Sequence, residues 1–179
     1  RLWPPADPQA PRVRRWLRAA LLAVLALAVL FVVYVAVLIP LTPSIKDLRN
    51  AKTEVPAKVL FADGKLLTEF KRSNRVWVKL DHVSPHVVDA LIATEDHRFY
   101  QHSGMDWRRT GGSVVWTLLG KPQGGSTLTQ QLARNLYPKE IGRDRSIHRK
   151  LKEAITAFKI ESVYSKDEIL ETYLNTVPF

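Results

Sequence analysis

The pattern of apolar and polar residues first indicates a membrane segment. An uncharged apolar run extends from Ala19 to Ile39, and Pro40 follows it at once. As a helix this run would be roughly 31 Å long, about the thickness of the hydrocarbon core of a bilayer. A cleaved signal peptide usually has a shorter apolar stretch. The pattern therefore predicts a single transmembrane helix at 19–39, followed by a connecting segment at 40–58.

The pattern changes to that of short strands after this segment. From Val59 to Phe70, two apolar runs are separated by a turn that contains Asp63 and Gly64. An Asp-Gly pair between apolar runs is typical of a β-hairpin. Residues 76–80 alternate between apolar and polar side chains, which predicts one further short strand.

From Ser84 onward the apolar residues follow helical spacing. Ser84 and Pro85 suit the N-cap and the first position of a helix, which is expected to end near Glu95. Ser165 and Glu168 match a capping box at the start of the last helix. Further helices are predicted at 106–119, 127–136, 146–164 and 165–174. The predicted fold class is mainly α, with a small β element near the membrane, and one domain occupies 59–179.

The charge of the chain indicates an anionic partner. The 179 residues include 27 Lys and Arg against 17 Asp and Glu, a formal net charge of +10. Such an excess favours nucleic acid, a lipid surface or a phosphate-bearing substrate. The positive-inside rule assigns residues 1–18 to a basic cytoplasmic tail and the rest to the exported side, which argues against nucleic acid. The chain has no cysteine, so thiol chemistry is excluded.

Two polar stretches contain candidate catalytic and anion-binding groups. Glu95 and Asp96 follow a largely apolar helix, where a carboxylate can act as a general base; solvated charges at a helix end are the alternative. Gly124, Gly125 and Ser126 precede another helix, whose N-terminal N–H groups are predicted to bind an anion. An ordinary capped turn is the alternative for this second stretch.

Two further stretches lie nearer the C-terminus. Arg145, Arg149 and Glu153 are spaced by four, which predicts that they share one helix face. Cations near a helix N-terminus interact unfavourably with the helix dipole, and a bound anion would offset that cost. Either a diphosphate or acidic lipid headgroups could be that anion. Glu171 and Asn175 are also four apart, and they either face the site or hydrogen-bond neighbouring groups.

Together, and in this order, the four stretches resemble the signatures of the peptidoglycan glycosyltransferase family. That family includes the glycosyltransferase domains of class A penicillin-binding proteins and the monofunctional enzymes. The pattern E-D-x-x-F-x-x-H-x-G is present at 95–104, and R-K-x-x-E at 149–153. The pattern G-G-S-T-x-T-Q-Q-x-x-K-N is present at 124–135 with Arg134 in place of Lys, and K-x-x-I-L-x-x-Y-L-N at 166–175.

The resemblance implies a fold, an activity and a set of site residues. The fold would be a lysozyme-like helical domain on the outer face of the bacterial cytoplasmic membrane. The activity would be polymerisation of lipid II into β-1,4-linked glycan strands, with inversion and release of undecaprenyl diphosphate. Glu95 would be the general base, and Glu153 would assist departure of the diphosphate. The implied substrate-binding residues are Asp96, His102, Ser126, Thr129, Gln130, Gln131, Arg134, Asn135, Arg145, Arg149 and Lys150.

The resemblance also implies partners and a domain boundary. The partners would be lipid II, the growing undecaprenyl-diphosphate-linked glycan, the membrane and cell-wall synthesis proteins, but not nucleic acid. The resemblance implies no certain cofactor, and a divalent cation, Mg²⁺ or Mn²⁺, is the candidate. The family's domain continues past Phe179, so this domain is expected to be truncated at its C-terminal end. The sequence contains no Ser-x-x-Lys motif of a transpeptidase.

Two other functions are weighed against the glycosyltransferase. A lysozyme-like hydrolase or lytic transglycosylase also places a Glu at a helix end, but it needs no diphosphate site. A membrane-tethered scaffold that binds anionic lipid accounts for the apolar run and the basic stretch, but it leaves Glu95 without a role.

Overall fold

The structure is a computed structural model that describes residues 10–50, 57–70, 77–121 and 124–178. It divides into two compact units, the first ending at Ile39 and the second beginning at Pro40. Helix α1, Ala10–Leu38, forms the described part of the first unit. The helical stretch Arg14–Leu41 is long and apolar enough to cross a membrane. The helix therefore includes the predicted span and also takes in the basic residues just ahead of it.

The second unit is mainly α, as predicted. Short 3₁₀ helices occur at Leu80–His82 and Phe99–Gln101. The regular elements in chain order are α2 (Ile45–Asn50), β1 (Ala57–Leu60), β2 (Leu66–Phe70), α3 (Pro85–Glu95), α4 (Trp107–Leu118), α5 (Leu128–Leu136), α6 (Pro138–Ile141), α7 (Ile147–Glu161) and α8 (Lys166–Thr176).

Local capping determines where the site helices begin. Helix α5 starts with a complete capping box, in which the Thr127 hydroxyl and the Gln130 amide each bind the other residue's backbone. Helix α8 starts with the same arrangement between Ser165 and Glu168, which confirms the prediction from the sequence. Pro85 occupies the first turn of α3. These short-range bonds satisfy N–H groups that have no partner within the helix.

The core forms where α5 packs against both α7 and α8. Helices α3 and α8 and the 3₁₀ helix at Phe99–Gln101 contribute further apolar side chains to it. Its most buried members are Leu48, Phe99, Leu128, Leu132, Ala133, Ile160, Ile169 and Leu170. Helix α5 is thus held on two sides, and its remaining side chains are positioned by a rigid scaffold.

The predicted hairpin is present. Strands β1 and β2 pair antiparallel, from Ala57 opposite Phe70 to Leu60 opposite Leu66. Gly64, in the turn between them, has a φ of 82°, a conformation that glycine adopts without a steric penalty.

The further strand predicted at 76–80 is wrong for the residues that the structure describes. Residues 77–79 have no regular structure, and a 3₁₀ helix begins at Leu80. The Asn175 side chain accepts a hydrogen bond from the Val78 N–H at 2.8 Å and donates one to the Val78 carbonyl at 2.8 Å. The Glu171 carboxylate accepts from the Leu80 N–H at 3.1 Å. Side chains of α8 therefore take the place of a neighbouring strand.

Part of the predicted connecting segment packs against the second unit. Leu48 of α2 is buried, and its carbonyl accepts a hydrogen bond from the Tyr164 hydroxyl. The Lys159 ammonium donates to the Thr42 hydroxyl at 2.7 Å and to the Pro43 carbonyl at 3.1 Å. Burial lowers the pKa of Lys159. Residues 42–48 thus belong structurally to the helical unit.

Candidate active site

Glu95, the predicted base, lies half-buried at the C-terminal end of α3. Its Oε2 accepts a hydrogen bond from the Gln131 side-chain amide at 2.7 Å. The other end of that side chain, Oε1 of Gln131, accepts from the Tyr173 hydroxyl at 2.9 Å. Because a carboxylate only accepts hydrogen bonds, the NH₂ of Gln131 must face Glu95. The carboxylate is thus oriented by groups from α5 and α8.

Asp96 is directed into the protein, away from Glu95. Its side chain is fully buried, and Oδ2 accepts from the Leu128 N–H at 3.0 Å and lies 3.0 Å from Nε2 of His102. The Arg109 guanidinium is 3.9 Å from the other oxygen. Asp96 and His102, both predicted to bind substrate, contact each other, and the contacts of Asp96 connect the end of α3 to the start of α5.

Glu153 is at the centre of a group of cations on α7 and α5. Its side chain is buried, and Oε1 pairs with the Arg149 guanidinium one helical turn earlier. Oε2 lies 2.7 Å from the Lys150 ammonium, and Arg134 of α5 lies 3.8 Å from Oε1. We call Glu153 and these three cations the cation cluster. The Arg134 and Lys150 side chains are 40% and 43% exposed, against 10% for Arg149.

Ser126 extends the cation cluster to the loop that precedes α5. Its hydroxyl oxygen accepts a hydrogen bond from the Lys150 ammonium at 2.5 Å. Lys150 therefore bridges the Gly-Gly-Ser stretch and Glu153. The three cations exceed the single carboxylate by two charges, which suits a doubly charged anion such as a diphosphate.

The side chains around Glu153 do not suit a resident divalent cation. Glu153 is already paired with Arg149 and Lys150, and a metal ion there would meet two positive charges. Among the residues that the structure describes, no group of three or more His, Cys, Asp or Glu could hold a metal ion.

Thr129 and Gln130, both predicted to bind substrate, lie inside the protein. The Thr129 hydroxyl donates to the Glu161 carboxylate at 2.6 Å near the end of α7. The Gln130 side chain is buried and its oxygen accepts from the Thr127 N–H at 3.2 Å. Adjacent glutamines on α5 thus have separate tasks: Gln130 caps the helix, and Gln131 orients Glu95.

Arg145 does not share a helix face with Arg149 and Glu153, so that prediction is wrong. Helix α7 begins at Ile147, and its N-cap is Ser146, whose hydroxyl accepts from the Arg149 N–H. Arg145 precedes the cap and is exposed, so i, i+4 spacing does not apply to it.

Asn135 is also exposed, near the end of α5. Its side-chain amide donates to the Gln131 carbonyl at 2.9 Å, which places it next to the residue that orients Glu95.

The prediction of an anion bound by N–H groups at the start of α5 is also wrong for three of those groups. The N–H of Thr127 is bound by Gln130, that of Leu128 by Asp96, and that of Gln130 by the Thr127 hydroxyl. Side chains of the protein thus occupy the donors that an anion would need. The exposed cations of the cluster remain as the groups suited to an anion near Ser126.

Two residues that contact the candidate site were not predicted to belong to it. Tyr173 is a fixed position of the fourth motif; burial raises the pKa of its hydroxyl, the nearby Glu95 charge raises it further, and Arg134 opposes them. Arg109 of α4 donates to the Glu95 carbonyl, and its Nε donates to the Gly124 carbonyl at 3.2 Å. Both contacts join positions far apart in the chain, which helical spacing does not reveal.

Comparison with known proteins identifies the family to which these residues belong. The sequence model described as Transglycosylase matches residues 63–179. The chain belongs to this family. It is 40% identical over 139 residues to penicillin-binding protein 1A of Escherichia coli (strain K12), covering 75% of this chain and 16% of that protein.

Other relatives agree with this assignment. The transglycosylase chain is 44% identical over 129 residues to penicillin-binding protein 2D of Bacillus subtilis (strain 168), covering 69% of this chain and 18% of that protein. It is 38% identical to penicillin-binding protein 1A of Vibrio cholerae over 137 residues, 75% of this chain and 16% of that protein. The chain thus spans under a fifth of the length of these curated relatives. The family predicted from the four motifs is confirmed.

Proposed function

We propose that this transglycosylase domain polymerises lipid II into β-1,4-linked glycan strands and releases undecaprenyl diphosphate. One observation carries the proposal: helix α5 presents Gln131 to Glu95 and Arg134 to Glu153. A base and a diphosphate-sized group of cations are therefore positioned by the same rigid helix. Neither a hydrolase nor a lipid-binding scaffold needs both.

The chemical step follows from the environment of Glu95. Its carboxylate takes the proton from the 4-hydroxyl of the acceptor sugar as that oxygen attacks the anomeric carbon of the donor. The bond from the anomeric carbon to the diphosphate oxygen breaks, and its electron pair leaves with the diphosphate, so the configuration inverts. Because the Gln131 amide holds Oε2, we assign proton transfer to Oε1 of Glu95.

The cation cluster supports departure of the leaving group. Negative charge on the diphosphate oxygen grows as the glycosidic bond breaks, and fixed cations lower the energy of that charge without reorganising. Arg134 and Lys150 are the exposed members, so they are assigned to the phosphates. Glu153 holds Arg149 and Lys150 in place. Its part in the reaction is therefore to keep these cations oriented.

The membrane arrangement is part of the same proposal. A substrate linked to undecaprenyl diphosphate lies in the bilayer surface, and α1 is long and apolar enough to keep the domain there. The arginines ahead of the apolar run favour a cytoplasmic N-terminus, which places the domain on the extracytoplasmic side. Lipid II and the growing glycan are then the partners of the site.

The proposal is tested with fluorescent lipid II and the full-length protein in detergent. We expect a ladder of glycan products on a gel, which muramidase digestion removes. A preformed glycan supplied without lipid II should stay intact. Shortening of that glycan would support the hydrolase, and binding of lipid II without any product would support the scaffold; either result would overturn the proposal.

A further inference from the structure

Arg109 joins three parts of the active site through one side chain. Its guanidinium donates to the carbonyl of Glu95 and, at 3.2 Å, to the carbonyl of Gly124. It also lies 3.9 Å from the buried Asp96 carboxylate. The Arg109 side chain is only 21% exposed; its hydrogen bond to Glu95 is partly buried, and its hydrogen bond to Gly124 is exposed.

One of the two carbonyls belongs to the proposed base, and the other belongs to the loop that contacts the proposed leaving-group cations. Glu95 is the base at the end of α3. Gly124 is two residues before Ser126, which binds Lys150 of the cation cluster. Among the side chains that the structure describes, Arg109 thus connects the backbone of the base to the loop that reaches the leaving-group cations. A planar guanidinium has donors in a fixed fork, so it can fix the separation of two acceptors.

We propose that Arg109 is a positioning residue, which sets the placement of Glu95 relative to the cation cluster. The inference rests on the proposed function, in which Glu95 activates the attacking hydroxyl and the cation cluster stabilises the leaving diphosphate. Arg109 itself is assigned no contact with substrate. Its loss should therefore slow the chemical step more than it weakens binding of lipid II.

A purely structural role is the competing explanation, since Arg109 also compensates the charge of buried Asp96. The two roles differ in what a lysine would restore. An ammonium at this position keeps the positive charge near Asp96, but it lacks the rigid fork that reaches both carbonyls. Charge compensation predicts that Arg109→Lys recovers stability and activity together. Positioning predicts that it recovers stability while kcat stays low.

The test compares Arg109→Met, Arg109→Lys and the matched control Arg108→Met, which removes an exposed cation from the same helix. We expect Arg109→Met to lower kcat for lipid II by about 10-fold to 100-fold with KM changed by less than about threefold. Arg109→Lys should regain the wild-type melting temperature but keep most of the loss in kcat. Arg108→Met should match the wild type in both.

Three results would overturn the proposal: wild-type kcat in Arg109→Met, wild-type kcat in Arg109→Lys, or a rise in KM with kcat unchanged. If Arg109→Met does not fold, the lysine variant decides by the same criteria. Amide hydrogen exchange over residues 124–128 gives a readout that needs no activity, and it should be faster in both Arg109 variants. A wild-type protein that does not polymerise lipid II would therefore count against the proposed function. Hydrogen exchange over residues 124–128 that is unchanged in the Arg109 variants would count against the role of Arg109.

Discussion

Glu95 and Gln131 are joined by a 2.7 Å hydrogen bond between a carboxylate on α3 and an amide on α5. The Tyr173 hydroxyl of α8 fixes the other end of that amide. The orientation of the proposed base is therefore determined by three helices, and all three contribute side chains to the buried core. This relationship separates residues that orient the base from neighbours that only stabilise the helix.

Gln131→Met is expected to lower kcat strongly and to reduce stability by only about 1–2 kcal/mol, because it also removes the acceptor of the Tyr173 hydroxyl. The substitution removes the hydrogen bond to Glu95 while conserving side-chain length, so the carboxylate loses its fixed orientation. A loss of about 10-fold to 100-fold in kcat is expected at saturating lipid II. Steady-state polymerisation kinetics and denaturant unfolding measure the two effects.

Gln130→Met provides the matched control on the adjacent position. It breaks the capping box of α5 and leaves the Thr127 N–H without its acceptor. The expected cost is about 1–2 kcal/mol of stability, and the folded enzyme should turn over normally. Equal losses of kcat in the two variants would contradict the separate tasks assigned to these glutamines.

Removing both members of the buried Glu153–Arg149 pair should restore most of the stability that one substitution costs, but it should not restore activity. Glu153→Met leaves the Arg149 guanidinium buried without its partner, at an expected cost of about 3–5 kcal/mol. Adding Arg149→Met should return most of that stability, because two apolar side chains then pack together. Neither variant should polymerise lipid II. A double variant with wild-type turnover would show that this pair has no part in catalysis.

The Tyr173 hydroxyl should stabilise the protein in a way that fades at alkaline pH. Its pKa is raised above the ordinary value by burial and by Glu95, so the folded state favours the protonated form. The stabilisation is then fully present below about pH 10, the unfolded pKa, and declines as pH rises through the folded pKa.

Tyr173→Phe tests this dependence. The variant is expected to be less stable by about 1–2 kcal/mol at neutral pH, and the difference from the wild type should narrow above about pH 10. Burial and Asp167 also raise the pKa of Tyr100, but both proteins retain Tyr100, so its effect cancels. A difference that widens with pH would contradict the assigned direction.

Gly104→Ala is expected to destabilise the domain strongly. Gly104 has a φ of +69°, and a Cβ there would lie 2.9 Å from the Phe158 backbone nitrogen on α7. Strain and overlap together should cost about 2–4 kcal/mol. Gly64→Ala is the control, because Gly64 has a φ of +82° with nothing within 4 Å.

The control variant should lose only about 1 kcal/mol, the cost of the backbone conformation alone. Chemical denaturation of both variants gives the comparison. Similar losses in the two would show that the close approach of α7 contributes nothing.

Much of the fold could be predicted because helix starts are encoded locally. The capping box of α8 was predicted because Ser165 and Glu168 are three apart, and the box of α5 has the same spacing, although Gln130 was assigned to substrate binding. The strand predicted at 76–80 failed for a different reason. Its alternation is real, but Asn175 and Glu171 satisfy backbone groups of this segment, and they lie more than 90 positions away.

The arrangement of the candidate site could be predicted only in part. Glu95 lies at the end of α3, as predicted, and Glu153 lies one turn after Arg149 on α7. The N–H groups at the start of α5 are occupied because Asp96, 32 residues earlier, binds Leu128. Arg145 was misplaced because spacing by four indicates a shared face only within a helix, and α7 begins at Ile147.

The most direct test of the account is the turnover of Glu95→Gln against the wild type at saturating lipid II. The variant keeps the size of the side chain and an oxygen that can accept from Gln131, but it cannot take a proton. We expect folded protein that binds lipid II normally, with kcat lower by about 10²-fold to 10⁴-fold. Polymerisation at the wild-type rate would show that Glu95 is not the base.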